Sequence, residues 1–126
     1  MKIEHVAIWV HDLERMRQFY CSTFGAWASD KYCNERTGFE SYFLHFEDGA
    51  RLELMHREDI ARKQADTMLG LGHLAIAAGS AQKVEELTEQ LISLGCTHLS
   101  GPRLTCDGYY ESSVLDPEGN VLEITI

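Results

Sequence analysis

The chain is 126 residues long, 44% hydrophobic and 25% charged, with only two prolines. That length suits one domain, or two small modules sharing a core, and the apolar fraction excludes a disordered or fibrous chain. Eleven basic against twenty acidic residues leave a net charge of −9, a field that repels phosphate backbones and anionic lipid, so neither nucleic acid nor a membrane surface is expected as a partner. The apolar runs are too short to span a bilayer. The opening MKIEHVAIWV, with its polar Glu4-His5 pair, reads as a strand rather than a secretory leader, and a cytoplasmic location is expected. Cys21, Cys33, Cys96 and Cys106 form neither a CxxC pair nor a zinc-ribbon spacing and are expected to be reduced thiols.

In chain order, residues 3–10 alternate as a strand, with Val6, Ile8 and Val10 on one side and His5, Ala7 and Trp9 on the other. Asp12 offers an N-cap to a helix carrying Leu13, Met16, Phe19 and Tyr20 at helical spacing, and Gly25 closes it. Strands are predicted at about 26–33, 38–47 and 50–56, the last two joined by Asp48-Gly49, a hairpin signal. A polar stretch over 57–69 is predicted to be helical. The order then restarts: a strand over 72–78, a helix capped by Ser80 with Val84, Leu87, Leu91 and Leu94 on one face, Gly95 as its stop, and strands near 96–100, 109–115 and 120–126. Asp116-Pro117-Glu118-Gly119 forms the last turn.

The restart is a duplication. His5-Val6-Ala7-Ile8 aligns with His73-Leu74-Ala75-Ile76 at an offset of 68, and Gly25 with Gly95 at 70. Leu52-Glu53-Leu54 aligns with Leu122-Glu123-Ile124, also at 70, so one two-residue insertion in the second helical stretch reconciles every pair. Each half reads βαβββ: module one over about 1–56, a connector over about 57–70, and module two over about 71–126, together a single domain.

At equivalent places each half carries a histidine on its first strand and a glutamate on its last. Leu52 and Leu54 can enter a core only if Glu53 points the other way, and the same alternation turns Glu123 and His5 away from the helices. Taken singly, each has an ordinary explanation, a hydrogen-bonded structural histidine or a solvated edge carboxylate. They are duplicated at matching positions, and if the halves are related by a pseudo-twofold axis, they converge on one concave trough. Two imidazoles and two carboxylates leave two positions of an octahedral shell for water, a set suited to one divalent transition ion (nickel, zinc, cobalt, manganese or iron) rather than to magnesium or calcium. A substrate with two adjacent oxygens can replace the waters and be polarised. His11, His45, His56 and His98 lie outside the matched pairs and are expected on the surface or in loops.

The paired βαβββ units, His5 and His73, Glu53 and Glu123, Phe19-Tyr20…Phe24-Gly25, Gly72-His73-Leu74-Ala75-Ile76 and Asp116-Pro117-Glu118-Gly119-Asn120 resemble the vicinal oxygen chelate superfamily along essentially the whole chain. That group includes glyoxalase I, methylmalonyl-CoA epimerase, extradiol dioxygenases, fosfomycin-resistance transferases and metal-free bleomycin-resistance proteins. The resemblance implies an α+β fold, two tandem βαβββ modules with mixed, strongly curved sheets forming a metal-binding trough. The full quartet is most similar to that of glyoxalase I, or lactoylglutathione lyase; dioxygenases resemble it with two His and one Glu, and epimerases place Gln where Glu53 stands. At two positions that hold the glutathione part of the substrate in bacterial glyoxalase I, usually Arg and Asn, this chain has Trp9 and Arg57.

The implied activity moves a proton between adjacent carbons of a vicinal-oxygen substrate such as a thiohemiacetal of methylglyoxal. Glu123, with Glu53 second, is the expected general base; His5, Glu53, His73 and Glu123 are the expected metal ligands. Trp9, Arg57 and Arg103 are candidate substrate contacts, and Tyr109 or Tyr110 could line the trough. The alternatives are an epimerase or dioxygenase on the same scaffold, or a non-catalytic small-molecule binding or resistance protein. A small-molecule substrate, in some form a thiol adduct, is the expected partner, together with a second copy of the chain, because each half leaves an open sheet edge. The site can be built within one chain or by halves exchanged between two.

Overall fold

The Asp12 carboxylate accepts a hydrogen bond from the Arg15 amide at 3.0 Å and opens helix α1 (Leu13–Phe24), which Gly25 ends in the left-handed conformation at φ 68°. Ser80 does the same for helix α2 (Ala81–Ser93), accepting from the Lys83 amide at 3.3 Å. At its far end the Gly95 amide donates to the Ile92 carbonyl and the Cys96 amide to the Leu91 carbonyl, the paired bonds of a Schellman stop. Both helices begin at a side-chain cap and end at a left-handed glycine, each a local interaction. The molecule is described here by a computed structural model covering residues 1–61 and 69–126. It is an α+β fold of two units, Met1–Gln64 and Ala65–Ile126.

In the first unit α1 covers one face of a mixed sheet. Strand β1 (His5–Trp9) runs parallel to β5 (Arg51–His56), β5 is antiparallel to β4 (Phe39–His45), and β4 carries both β2 (Trp27–Ala28) and β3 (Tyr32–Asn34) on its other edge. Met16 and Tyr20 of α1 and Leu44 and Leu54 of the sheet are fully buried, each side chain contributing about 1.5–3 kcal/mol by leaving water. The single strand predicted over 26–33 is two. Ser29 breaks it: its amide donates to the Phe43 carbonyl at 2.8 Å and its hydroxyl oxygen accepts the Phe43 amide at 3.1 Å, so a side chain takes a ladder position from the backbone. The helix predicted over 57–69 does not form at its start. Residues 57–61 form a turn in which the Ile60 amide donates to the Arg57 carbonyl, and 62–68 lie outside the described residues.

The second unit packs α2 on a four-stranded sheet in the order β6 (Leu74–Ala77), β9 (Val121–Thr125), β8 (Tyr110–Leu115), β7 (His98–Leu104), with β6 and β9 parallel and the rest antiparallel. Val84 and Leu91 meet Val114, Leu122 and Ile124 in a fully buried core. Thr88 lies among them, its hydroxyl 2.5 Å from the Val84 carbonyl and 2.6 Å from the Ser112 hydroxyl, so two buried polar groups satisfy one another. The strand predicted at 96–100 runs to Leu104, through Gly101-Pro102. Proline is tolerated because β7 is an edge strand whose register shifts twice along this stretch. Gly101 has φ 81°, and a Cβ there would stand 2.4 Å from the Glu111 carbonyl oxygen, so the close approach of β8 needs glycine.

Histidines 45, 56 and 98, expected on the surface or in loops, are on strands, with His98 exposed and His45 and His56 half-buried. His45 stacks flat on Trp27 with ring centroids 3.8 Å apart, His56 donates from Nδ1 to the Val10 carbonyl at 3.1 Å, and His98 lies 2.8 Å from the Gly101 carbonyl. His11 lies in the turn between β1 and α1. All four cysteines are free thiols. Among the described residues no helix is long and apolar enough to cross a membrane.

Candidate functional site

The parallel pairing of first and last strands fixes the same constellation in each unit. Ala7 stands beside Glu53 in the β1–β5 register, and Ala75 beside Glu123 in the β6–β9 register. The histidine lies two residues before the alanine in both cases. Alternation along β5 and β9 sends Leu52, Leu54, Leu122 and Ile124 into the helix-covered cores, so both carboxylates project from the opposite face. A methyl group is the lateral neighbour of each, which leaves room for the imidazole to lean across.

His5 Nε2 lies 3.9 Å from Glu53 Oε2, and His73 Nε2 lies 3.0 Å from Glu123 Oε2. The carboxylates are recessed, with side chains 14% and 22% exposed, against 40% and 47% for the histidines. Two ligand atoms each about 2.1 Å from one ion stand about 3.0 Å apart at a right angle and about 4.2 Å apart across it. The second pair has the right-angle spacing and the first falls between the limits, so each unit offers one nitrogen and one oxygen donor at distances that fit a divalent ion. Among the described residues no group of three His, Cys, Asp or Glu side chains is gathered; each unit brings together one pair.

The surroundings of the two pairs differ. Phe43 stands beside Glu53 on β4 and meets the His5 ring edge-on, centroids 5.3 Å apart, while Arg51 lies over Phe43 at 4.2 Å. The corresponding neighbour of Glu123 is Ser113. Glu4 accepts a hydrogen bond from His5 Nδ1 at 2.5 Å and is also bound by Arg51. The hydrogen bond from His5 chiefly, and then the Arg51 guanidinium, hold its carboxyl below the usual range despite some desolvation. Neither Glu4 nor Arg51 stands out in the sequence pattern, although adjacency to His5 was the available signal for the former.

Trp9 shares the face of His5 and Glu53, 41% exposed, and touches Phe39 edge-on with centroids 5.9 Å apart. Arg57 lies over the Trp9 ring at 5.7 Å and is clamped by Asp59 through Nε and, at 3.0 Å, through Nη2. Phe39, Glu40, His56, Arg57 and Asp59 line a cavity of about 740 Å³ in this unit, together with Cys33. The Cys33 thiol is pushed up by desolvation and by its 3.6 Å contact with Glu40, so it is no activated nucleophile. Arg103 lies on edge strand β7 opposite Glu111 and donates to the Ser100 hydroxyl at 2.8 Å. Tyr110 departs from expectation: it alternates with Glu111 and Ser113, so it falls on the helix side and donates to Glu85 of α2 at 2.7 Å. Tyr109 is exposed in the β7–β8 turn, where its amide donates to the Thr105 hydroxyl.

No curated protein matches the chain at a significant level. Among solved structures it is similar to the trypanothione-dependent glyoxalase I of Leishmania major, with a TM-score of 0.79 and 23% identity over 99% of this chain and 86% of that one. It is similar also to glyoxalase I of Zea mays (TM-score 0.80, 25% identity), covering 98% of this chain but 44% of the maize chain, which is more than twice as long. A third is the lactoylglutathione lyase of Agrobacterium tumefaciens, at TM-score 0.71 and 22% identity over 98% of this chain and 91% of that one. These likenesses establish a shared fold. Residues 2–124 match the family model of the glyoxalase/bleomycin resistance protein/dioxygenase superfamily, and the chain belongs to that superfamily.

Proposed function

We propose that the protein is a metal-dependent lyase of glyoxalase type, isomerising a vicinal-oxygen substrate such as the thiohemiacetal formed by methylglyoxal and a thiol. The observation that carries this reading is the repeated His-x-Ala strand beside a glutamate, with imidazole and carboxylate 3.9 Å and 3.0 Å apart in the two units. His5, Glu53, His73 and Glu123 would hold one divalent transition ion, whether nickel, zinc, cobalt, manganese or iron. When bound, such an ion polarises the two adjacent substrate oxygens and stabilises the negative charge that develops on them.

The chain's own carboxylates move the proton. Glu123, the more exposed of the two, takes the proton from the carbon bearing the thioether and hydroxyl, leaving an enediolate. Returning that proton to the neighbouring carbon gives a 2-hydroxyacyl thioester, with no net oxidation. Glu53 is the second candidate for the same role. Trp9 and Phe39 supply apolar surface beside the pair, and the cavity next to them accommodates the thiol's tail. Arg57 is held by Asp59, and Glu35, Glu40 and Glu58 also line the cavity. A tail without carboxylates therefore suits it better than a dianionic one. Arg103, on β7, is the remaining candidate substrate contact.

Metal content measured by mass spectrometry on protein purified without added metal tests the reading. Close to one transition ion per chain, lost in a His73→Ala, Glu123→Ala double variant, together with conversion of methylglyoxal–thiol adducts, supports it. Protein that neither carries nor takes up an ion is a small-molecule binding protein instead, with the aromatic-edged cavity of the first unit as its pocket.

A further inference from the structure

The two histidines are not equally supported. His5 Nδ1 donates to Glu4 Oε2 at 2.5 Å, and the other oxygen of that carboxylate is bound by Arg51, the lateral neighbour of His5 on β5. Arg51 is fixed in turn by lying over Phe43 at 4.2 Å, and the Phe43 ring abuts His5. The backbone closes the same loop, since the Arg51 amide donates to the Glu4 carbonyl at 3.1 Å. In the second unit Gly72 occupies the place of Glu4 and Val121 that of Arg51, so His73 has no corresponding carboxylate on its neighbour.

We propose that Glu4, anchored by Arg51, is a positioning residue for His5. By accepting a hydrogen bond from Nδ1–H it fixes the tautomer whose Nε2 lone pair faces Glu53 and fixes the plane of the ring. An imidazole that has already lost the freedom to rotate and to exchange tautomers binds an ion with less to give up, and the carboxylate makes Nε2 a stronger donor. His73 works without this support; among the described residues its ring is directed by Glu123, at 3.0 Å. The first unit thus carries the pre-set ligand of the pair and the second the adjustable one. This asymmetry rests on the reading of His5 as a ligand, but the tautomer it predicts exists without any ion.

Nitrogen-15 NMR of histidine-labelled, metal-free protein reads the tautomer directly. The expected result is His5 protonated on Nδ1, with His73 unchanged by any substitution at position 4. Glu4→Ala shifts His5 toward the Nε2-protonated form that free imidazole side chains favour, and Glu4→Gln, whose amide oxygen still accepts, retains much of the original state. Cobalt(II) titration followed by visible absorption then shows affinity lower by about 10–100-fold in Glu4→Ala and largely rescued in Glu4→Gln. His5 protonated on Nε2 in the unsubstituted protein, or a tautomer indifferent to Glu4→Ala, overturns the proposal. Failure of the unsubstituted protein to bind cobalt defeats the metal reading while leaving the tautomer measurement to decide the role of Glu4.

Discussion

Nε2 of His73 lies 3.0 Å from Oε2 of Glu123, across the lateral gap that Ala75 leaves in the β6–β9 ladder. Nothing bulkier than a methyl group separates the strands at that point, so imidazole and carboxylate can address one atom between them. Glu123→Gln keeps the shape and removes the basicity. It is expected to lower kcat by about 10²–10⁴-fold with a smaller change in KM, and Glu53→Gln to lower it less. Steady-state kinetics on methylglyoxal–thiol adducts, with metal content measured on the same samples, check this; an unchanged kcat in metal-loaded Glu123→Gln removes Glu123 as the base.

Gly101 and Gly25 both have positive φ, but only one is crowded. A Cβ at Gly101 would meet the Glu111 carbonyl oxygen at 2.4 Å, whereas at Gly25 it meets nothing within 4 Å. Gly25→Ala is expected to cost about 1 kcal/mol, the ordinary penalty for a left-handed alanine. Gly101→Ala should cost about 2–4 kcal/mol, because β7 must also move off β8. Urea denaturation of the two variants gives the comparison, and equal losses would contradict the close approach.

Thr88 and Ser112 share a hydrogen bond inside the second unit's core, both nearly or fully buried. Ser112→Ala and Thr88→Val are each expected to destabilise by about 1–3 kcal/mol, since each leaves its partner with one fewer buried bond. The double variant should lose clearly less than the sum of the two. A double-mutant cycle by thermal or urea unfolding measures the coupling, and strict additivity would mean the two hydroxyls do not interact.

Lys31 joins two carboxylates, at 3.0 Å from Glu40 and 3.4 Å from Glu14. Lys31 chiefly holds the Glu40 carboxyl below its usual range; for Glu14, desolvation pushes upward but is outweighed by bonds from Tyr42, Arg17 and Lys31. Both folded values lie below the unfolded ones, so this contribution is full above the ordinary carboxylate range and is lost as pH falls through the lowered values. The ammonium is shifted upward, first by Glu40, so its side of the interaction is full below the ordinary lysine range and fades only as pH rises through the raised value. Lys31→Met is therefore expected to be less stable by under about 1 kcal/mol at neutral pH, with the difference vanishing in acid and shrinking in high salt. Unfolding curves at several pH values and salt concentrations test the sign.

Much of this was legible in the residues themselves. Asp12, Ser80 and Gly95 mark helix ends through bonds to groups a few positions away and Gly25 through its left-handed backbone, and these features form wherever the chain folds locally. The offsets of 68 and 70 paired His5 with His73 and Glu53 with Glu123 before any distance was known, because alternation on a strand forces a glutamate between two buried leucines to face outward. The partner strand decided the rest. Ser29 splits a strand by bonding to Phe43, fourteen residues on, and β7 continues through Gly101-Pro102 because β8 lies against it. Tyr110 finds Glu85 only once α2 packs against β8, and Glu4 is held by Arg51 only once the β1–β5 ladder brings that residue alongside. Caps and periodicity are written in neighbouring residues; which side chain intercepts which hydrogen bond depends on segments that meet only after folding, and that the tertiary structure alone determined.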